Sequence, residues 1–406
     1  MLRQSPFYNF LNRRIDLTFS QFESNHDLDI DYINWNEFLL PNNYGDPKQE
    51  YEAIRNRVAL FDVTPMRKFE ILGSEAGRFL DHLVTRPVSS AAPMQGLYVV
   101  FCNEDGSLKD DAILYKFAED HYWLMPSDID HRPHFADLCK QFEISELSIS
   151  ECTMDFAGMA IQGPLSAMLV KQLGVPDLEL LKPFHVMDFK LQGTLIRVAR
   201  MGFTADLGYE CWMPIEFGSH FEVLLKNAID NLGISAHGYG LTALEVCRIE
   251  GGFIVAGWDC ATEIDPSPGF ERTPFELGLG WLVDLEGCEF VGRDALLREK
   301  DIGGRYVKRC FIANGCSIPD EGSEVWGQVL GKTIVIGTVN CASWSWGLGK
   351  TIGNASIFRE YMNLETGELK LEEMVVGVQL KKGPLINLKR NRQVPAPIPK
   401  TSTGLN

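Results

Sequence analysis

The chain has 406 residues with 45% hydrophobic and 23% charged side chains, which is enough for two or three folding units with ordinary globular cores. Its 38 basic and 55 acidic side chains give a formal charge of −17, which argues against nucleic acid or an anionic membrane as the main partner. Ten cysteines without a CxxC pair indicate a reducing compartment. The N-terminus lacks a signal-peptide pattern and no run of about 18 apolar residues exists, so we expect a cytoplasmic protein without a transmembrane helix.

Residues 1–50 form a polar N-terminal extension that we expect to be loop-like, with a turn cluster at 41–47. The extension also carries many aromatic side chains, which need an apolar surface to pack on. We therefore expect it to lie over a folded core rather than to form a disordered tail.

From residue 49 onward, strand and helix patterns alternate irregularly. Period-two patterns predict strands at 68–73, 96–102, 112–117 and 121–127. Amphipathic patterns predict helices at 74–85, 133–142 and 219–233. Because strand pairs and helices do not follow a regular βα order, the pattern favours an α+β fold over a doubly wound sheet.

After residue 301 the pattern changes to short strands with frequent glycine, which is typical of a small all-β sandwich or barrel. The boundary is predicted near 303–304. The resulting division is an α+β core of two subdomains at 51–302, a C-terminal β domain at 303–390 and a Pro-rich tail at 391–406, interpreted as a surface strap or a disordered segment.

Several common catalytic motifs are absent from the sequence. There is no glycine-rich nucleotide loop, no HExxH and no GxSxG, so dehydrogenase, nucleotide-dependent and common hydrolase chemistries have little support. His131 and His134 have a spacing that can hold a metal on a helix, but Pro133 lies between them. We therefore interpret the pair as a polar helix start and predict no metal site.

Seven separated segments, taken together and in order, resemble the glycine-cleavage T-protein superfamily, which also contains tetrahydrofolate-dependent demethylases such as dimethylsulfoniopropionate demethylase. The resemblance covers roughly residues 50–360. The segments are FDVTPMRKFEI (61–71), CNEDGSLKDDAILY (102–115), AIQGP (160–164), MGFTADLGYECW (201–212), CRIEGG with GWD (247–252 and 257–259), TPFELGLGWLVDL (273–285) and FVGRDAL (290–296).

The resemblance implies a multi-domain T-protein-like fold that binds tetrahydrofolate. Glu210 matches the glutamate that binds the pterin, and a carboxylate can accept two N–H bonds from such a ring edge. Arg248 matches the arginine near the anionic end of folate, and Asp111 matches the aspartate that handles the reacting nitrogen. The resemblance also assigns a second catalytic residue and further cofactor contacts: Tyr98 for catalysis, and Met66, Asp110, Tyr209 and Trp258 for binding.

The residues alone leave alternatives open. Glu210 can be an ordinary strand glutamate, and Tyr98 and Met66 can be core residues. Asp110 and Asp111 are adjacent on a strand, so they face opposite sides, and Asp110 is then either behind Asp111 or in solvent.

Arg248 lies on an apolar helix face, where burial without a partner is costly. It therefore pairs with Glu245 or Glu250, or it binds a ligand, which is the alternative that the resemblance favours.

Two departures from the T-protein pattern bear on the reaction. The sequence reads TPMRK at 64–68 where that family has SHMGK, and PSDID at 126–130 where it has an Asn-rich segment. These departures favour methyl transfer to N5 of tetrahydrofolate from a sulfonium, a methylamine or an aryl methyl ether. The alternatives are an aminomethyltransferase of glycine cleavage, which would need a lipoyl carrier protein as partner, and a non-catalytic folate-binding protein.

A cationic methyl donor would prefer an aromatic wall. Trp344 and Trp346 share one face if the segment is extended, so they either line such a site or pack at a domain interface.

Overall fold

The computed structural model describes residues 2–11, 30–287, 289–371, 374–393 and 395. The chain divides into two compact units, each built from separated segments. Unit 1 contains the described parts of Met1–Pro65, Met154–Leu244 and Leu388–Asn406. Unit 2 contains the described parts of Met66–Thr153 and Glu245–Asn387.

The described residues form both helices and strands, with more strands than helices. The α-helices are α1 Tyr8–Leu11, α2 Pro47–Asn56, α3 Ala76–Leu83, α4 Arg132–Gln141, α5 Ser166–Gln172, α6 Gly218–Leu232, α7 Leu241–Glu250 and α8 Arg293–Ile302. The strands are β1 Asp31–Trp35, β2 Phe38–Asn43, β3 Val58–Asp62, β4 Phe69–Leu72, β5 Gln95–Cys102, β6 Leu108–Ala118, β7 His121–Pro126, β8 Ser148–Glu151, β9 Phe156–Gln162, β10 Val186–Leu191, β11 Thr194–Ala199, β12 Gly208–Pro214, β13 Ala236–Gly238, β14 Tyr306–Ala313, β15 Glu324–Val329, β16 Lys332–Ser345, β17 Lys350–Phe358, β18 Thr366–Leu371 and β19 Met374–Lys381.

The central sheet of unit 1 has six strands in the order β10-β11-β12-β9-β3-β13. All neighbours are antiparallel except β13, which runs parallel to β3. One face of this sheet packs against α5 and α6 in a large apolar core. The core-facing strand residues include Leu60, Met159, Ile161, Val198, Tyr209 and Cys211. Because side chains alternate along a strand, their neighbours Phe61, Ala160, Ala199 and Glu210 lie on the opposite face.

The N-terminal extension contains regular structure, so the loop-like prediction for residues 1–50 is wrong in its described part. Strands β1 and β2 form an antiparallel hairpin, and α1 buries Phe10 and Leu11. The hairpin turn holds Asn36 and Glu37 at φ 48° and 68°. Tight hairpin turns usually place glycine at the second such position, so the glutamate there hid the turn from sequence analysis.

The first sheet of unit 2 has five strands in the order β5-β6-β7-β4-β8, all antiparallel. Helices α3 and α4 cover one face, where Phe79 and Phe135 pack with their ring centroids 5.7 Å apart. This arrangement confirms the α+β prediction, and the predicted strands and helices of residues 68–142 form where the periodicity placed them.

The C-terminal part of unit 2 is a closed six-stranded barrel in the order β14-β17-β16-β15-β18-β19, with β19 pairing back onto β14. Closure leaves no unpaired strand edge, and the inward side chains fill an apolar interior around Phe311, Ile336 and Ile357. The predicted C-terminal all-β domain is therefore confirmed as a barrel. Most of the predicted Pro-rich tail at 391–406 lies outside the described residues.

None of the helices in the described ranges is long and apolar enough to cross a bilayer.

Candidate functional site

Glu210 lies in the middle of β12 in unit 1, on the sheet face opposite the core. Its strand neighbours are Ala160 on β9 and Ala199 on β11, so the side chains flanking the carboxylate on both sides are single methyl groups. The residue is only 7% exposed. The sheet therefore holds a buried carboxylate between two small side chains.

Aromatic rings lie along the same face of unit 1. Phe61 is in register with Ala160 and therefore shares the face of Glu210. Its ring stacks on Tyr239 with centroids 5.0 Å apart and an interplanar angle of 23°, and Trp35 lies 6.1 Å away. Aromatic rings on the same sheet face as the Glu210 carboxylate suit a planar heterocycle that has N–H groups at its edge.

Tyr209 is on the core face of the same strand, which corrects its assignment to cofactor binding. It is fully buried among the core residues of unit 1, and burial raises the pKa of its hydroxyl to about 12. The hydroxyl has no hydrogen-bond partner among the described residues. Strand alternation explains the correction, because adjacent residues cannot both face one ligand.

Asp111 lies on β6 in unit 2, where it accepts hydrogen bonds from the Tyr98 hydroxyl and from the Ala256 N–H. Burial and the neighbouring charge of Asp110 raise the pKa of Asp111 from 3.8 to about 7. The same surroundings raise the pKa of Tyr98 well above 10, mainly through burial. A carboxyl group that titrates near neutral pH can accept and return a proton under physiological conditions.

Asp110 is fully buried, so the solvent-facing alternative for it is wrong. One of its carboxylate oxygens accepts from the Ser127 N–H at 3.1 Å, from the Ser127 hydroxyl at 2.7 Å and from His131 Nε2 at 2.7 Å. The other accepts from the Asp111 N–H at 2.8 Å. Both carboxylate oxygens of Asp110 are therefore engaged by protein donors.

Arg248 on α7 is also fully buried and has internal partners. Its Nε and Nη2 donate to the two carboxylate oxygens of Glu245 at 2.7 and 2.5 Å. Its Nη1 donates to Asp259 at 2.5 Å and to the Phe253 carbonyl at 3.2 Å. Arg248 therefore pairs with Glu245, as one alternative predicted, and with Asp259, which lies eleven residues further along and could not be found from helical spacing.

Asp259 in turn joins Arg248 to the barrel strands. It accepts from the Val255 N–H at 3.0 Å and from the Asn354 side chain at 2.9 Å, and its carbonyl accepts from Asn340 at 3.1 Å. Glu250, the other candidate partner of Arg248, accepts instead from the Ser345 hydroxyl at 2.6 Å.

Two further predicted contacts lie in unit 2. Trp258 is 48% exposed, and its ring centroid lies 5.9 Å from the Arg248 guanidinium carbon. Met66 is half-buried just before β4, and its carbonyl accepts from the buried Lys68 ammonium at 2.5 Å. The exposed ring of Trp258 is available to a ligand, whereas Met66 is fixed through its backbone.

Trp281 was missed by sequence reasoning. It is 67% exposed in a short 3₁₀ turn of unit 2, and its ring centroid lies 6.4 Å from that of Tyr98. Tyr98 thus connects an exposed indole to Asp111. The only sequence signal was the presence of this tryptophan within the family-like segment 273–285.

Trp344 lies on β16 and Trp346 in the turn after it, and both are half-buried. Across the described residues, no cluster of three or more His, Cys, Asp or Glu side chains has the geometry of a metal site.

Comparison with known proteins gives the chain a family. Residues 25–287 match the family model described as the GCVT N-terminal domain. An aminomethyltransferase of Caldanaerobacter subterraneus subsp. tengcongensis is 30% identical over 336 residues, which are 82% of this chain and 85% of that protein. An aminomethyltransferase of Anoxybacillus flavithermus is 30% identical over 355 residues, covering 87% and 92% of the two chains.

A solved structure shows the same fold. The crystal structure of glycine cleavage system aminomethyltransferase T from Bartonella henselae superposes with a TM-score of 0.79, covering 97% of this chain and 100% of that one at 20% identity. The predicted resemblance is thereby confirmed, and the relatives support the aminomethyl alternative better than the methyl donor that the sequence favoured. The chain belongs to the glycine-cleavage T-protein family, and it is an enzyme of the transferase class that moves one-carbon groups.

Proposed function

We propose that this enzyme transfers an aminomethyl-derived one-carbon unit to tetrahydrofolate. The proposal is carried by Asp111, a half-buried carboxyl group with a pKa of about 7 beside the Tyr98 hydroxyl. The choice of aminomethyl transfer is supported by relatives named aminomethyltransferase that align with more than four-fifths of the chain.

The residues of unit 1 fit the flat end of a folate. The Glu210 carboxylate lies between the methyl groups of Ala160 and Ala199, and the stacked rings of Phe61 and Tyr239 lie further along the same row. A pterin edge carries adjacent N–H donors that a single carboxylate can accept. Glu210 is therefore the proposed pterin anchor, and the small neighbours provide the space that the ring needs.

The residues of unit 2 supply the acid–base chemistry. Tetrahydrofolate contributes the nucleophilic N5 that receives the one-carbon unit. Asp111 accepts the proton released at that nitrogen and stabilises positive charge that develops there. Tyr98 holds the Asp111 carboxyl group in one orientation through its hydroxyl, and the exposed ring of Trp281 beside Tyr98 provides a surface for the ligand.

Arg248 has a supporting role in this proposal. Its guanidinium group already donates to Glu245, Asp259 and the Phe253 carbonyl, so most of its donors are occupied. We assign it to holding the loop that carries Trp258, whose exposed ring is the ligand contact on this side of unit 2.

Methyl transfer from a small donor is the second candidate. It is favoured by the PSDID segment at 126–130, which stands where the T-protein has an Asn-rich segment. Within this segment, Ser127 donates two hydrogen bonds to Asp110. The donor would be a sulfonium, a methylamine or an aryl methyl ether. A small molecule would then be the partner, whereas aminomethyl transfer requires a lipoyl carrier protein.

A product assay separates the candidates. Purified enzyme is incubated anaerobically with tetrahydrofolate and either an aminomethyl-loaded lipoyl carrier protein or one methyl donor of each class. We expect 5,10-methylenetetrahydrofolate and ammonia with the carrier and no 5-methyltetrahydrofolate with the methyl donors. Formation of the 5-methyl product alone would establish methyl transfer instead, and no product despite folate binding would favour a non-catalytic folate-binding protein.

We also propose a cytoplasmic location and no nucleic-acid or membrane partner. The location is supported by the nine cysteines of the described residues, none of which forms a disulfide bond. The partner prediction is supported by the formal charge of −17.

A further inference from the structure

Three donors converge on one oxygen of Asp110. His131 Nε2 and the Ser127 hydroxyl each donate at 2.7 Å, and the Ser127 N–H donates at 3.1 Å. The side chains of Asp110 and His131 are both completely buried. A buried carboxylate with this many donors is held in one position, and its negative charge is stabilised where solvent cannot do so.

The geometry of His131 defines how it acts. A carboxylate only accepts hydrogen bonds, so Nε2 carries the hydrogen that Asp110 receives. The other ring nitrogen, Nδ1, is buried and has no hydrogen-bond partner among the described residues. His131 occupies the N-cap of α4. The ring therefore acts on Asp110 as a hydrogen-bond donor through Nε2.

We propose that His131 is a positioning residue that controls, through Asp110, how readily Asp111 holds its proton. Asp110 and Asp111 are adjacent on β6, so the charge of one opposes ionisation of the other. The consequence for turnover rests on the proposed function of Asp111, but the proton affinity itself can be measured without turnover.

The charged and titratable neighbours of this pair are few. Asp111 interacts electrostatically with Asp110, the preceding residue of its own strand, with Tyr98 on β5 and with Cys260 in the loop after α7. The groups that interact electrostatically with the His131–His134 region are Asp110, Lys109, Asp137 and Glu263.

Loss of the His131 donor has a signed consequence. Asp110 would be buried with one donor fewer, so the proton shared by the carboxyl pair would move toward Asp110. With the charge of Asp110 reduced, Asp111 would ionise at lower pH. His131→Gln keeps an N–H at about the position of Nε2 and should preserve the wild-type behaviour, whereas His131→Phe keeps the packing on Phe101, whose ring centroid lies 4.8 Å away, but has no donor.

The experiment is an NMR titration of the full chain labelled with ¹³C at the aspartate carboxyl carbons, with the Asp111 signal assigned from D111N. We expect the Asp111 midpoint to fall by about one pH unit in H131F and in D110N, and to stay within a few tenths of a unit in H131Q. H134F is the matched control, since His134 lies one helical turn further and its ring, whose pKa burial lowers to about 4, already lacks charge.

An unchanged or raised midpoint in H131F would overturn the proposal, as would an equal fall in H134F. If D110N does not fold, the comparison of H131F with H131Q still decides. The acid limb of the pH–rate profile is measured on the same variants. A midpoint that moves while the acid limb does not would remove Asp111 from the reaction and leave the positioning role of His131 intact.

Discussion

The two units surround their key carboxylates in opposite ways. In unit 1, Glu210 is buried on the sheet face opposite the core, between two alanines and with aromatic rings further along the row. In unit 2, Asp111 is crowded by the Tyr98 hydroxyl, the Ala256 N–H and the charge of Asp110. The small neighbours of Glu210 suit a carboxylate that binds a ligand, whereas the polar neighbours of Asp111 change the proton affinity of its carboxyl group. This contrast supports the proposed roles of Glu210 in binding and of Asp111 in proton transfer.

The largest expected effect tests the unit 2 side of this comparison. Asp111→Asn removes the proton acceptor without changing the size of the side chain, so turnover should fall by about 10²–10⁴-fold while tetrahydrofolate affinity changes by less than about threefold. Steady-state kinetics and calorimetry measure the two quantities. Asp120→Asn, in the exposed turn of the same hairpin, is the matched control. Unchanged turnover in D111N would remove Asp111 from the mechanism.

Arg248→Met tests whether unit 2 uses its arginine for structure or for binding. Asp259 would remain buried without its cation, so the unfolding free energy should fall by about 3–5 kcal/mol. Arg132→Met, which breaks an exposed ion pair with Asp130, should cost less than about 1 kcal/mol. Urea unfolding measures both. If R248M keeps its stability but loses tetrahydrofolate affinity, the ligand-facing alternative is correct.

Glu210→Ala tests the unit 1 side. Loss of a buried acceptor for two N–H groups should weaken tetrahydrofolate binding by about 2–4 kcal/mol, measured by calorimetry. Tyr209→Phe is a sharp control, because Tyr209 adjoins Glu210 in the chain but faces the core. Its affinity should equal that of the wild type. Equal losses in both variants would mean that the effect comes from strand damage and not from the binding face.

The smallest effect concerns Glu50, a second buried carboxyl group of unit 1. It accepts from the Tyr44 and Gly240 N–H groups at 2.6 and 2.8 Å, and burial raises its pKa from 4.5 to about 7. Because the folded pKa is raised, its contribution to stability is fully present below about pH 4.5 and is lost as the pH rises through 7.

The loss should be on the order of 1–3 kcal/mol between pH 4.5 and 8. Unfolding free energies of wild type and Glu50→Ala are compared across this range. The wild type should lose stability relative to the variant, and parallel curves would show that Glu50 does not titrate with folding.

Much of the fold could be predicted because the signals are local. The strands and helices of residues 68–142 have clear periodicity, and the glycine-rich strands after residue 301 predict a sandwich or barrel, which in the structure is a closed barrel. The N-terminal hairpin could not be predicted, because its turn uses Asn36 and Glu37 instead of a glycine.

The candidate site divides in the same way. Strand alternation separates Asp110 from Asp111 and applies equally to Tyr209 and Glu210, although the resemblance alone assigned both of the latter to the ligand. Hydrogen-bond partners that lie far apart in the chain could not be predicted from the spacing of residues in the sequence. His131 reaches Asp110 from a helix N-terminus 21 residues away, and Asp259 reaches Arg248 from a loop held by barrel strands. These contacts depend on the tertiary fold.

The most direct test of the central claim is calorimetric titration of the wild-type enzyme with tetrahydrofolate under anaerobic conditions, with E210A titrated in parallel. We expect the wild type to bind about one molecule of tetrahydrofolate per chain saturably, and E210A to bind it more weakly. No binding of tetrahydrofolate at high micromolar concentration would contradict it, because the carboxylates on both units would then serve a purpose other than folate chemistry.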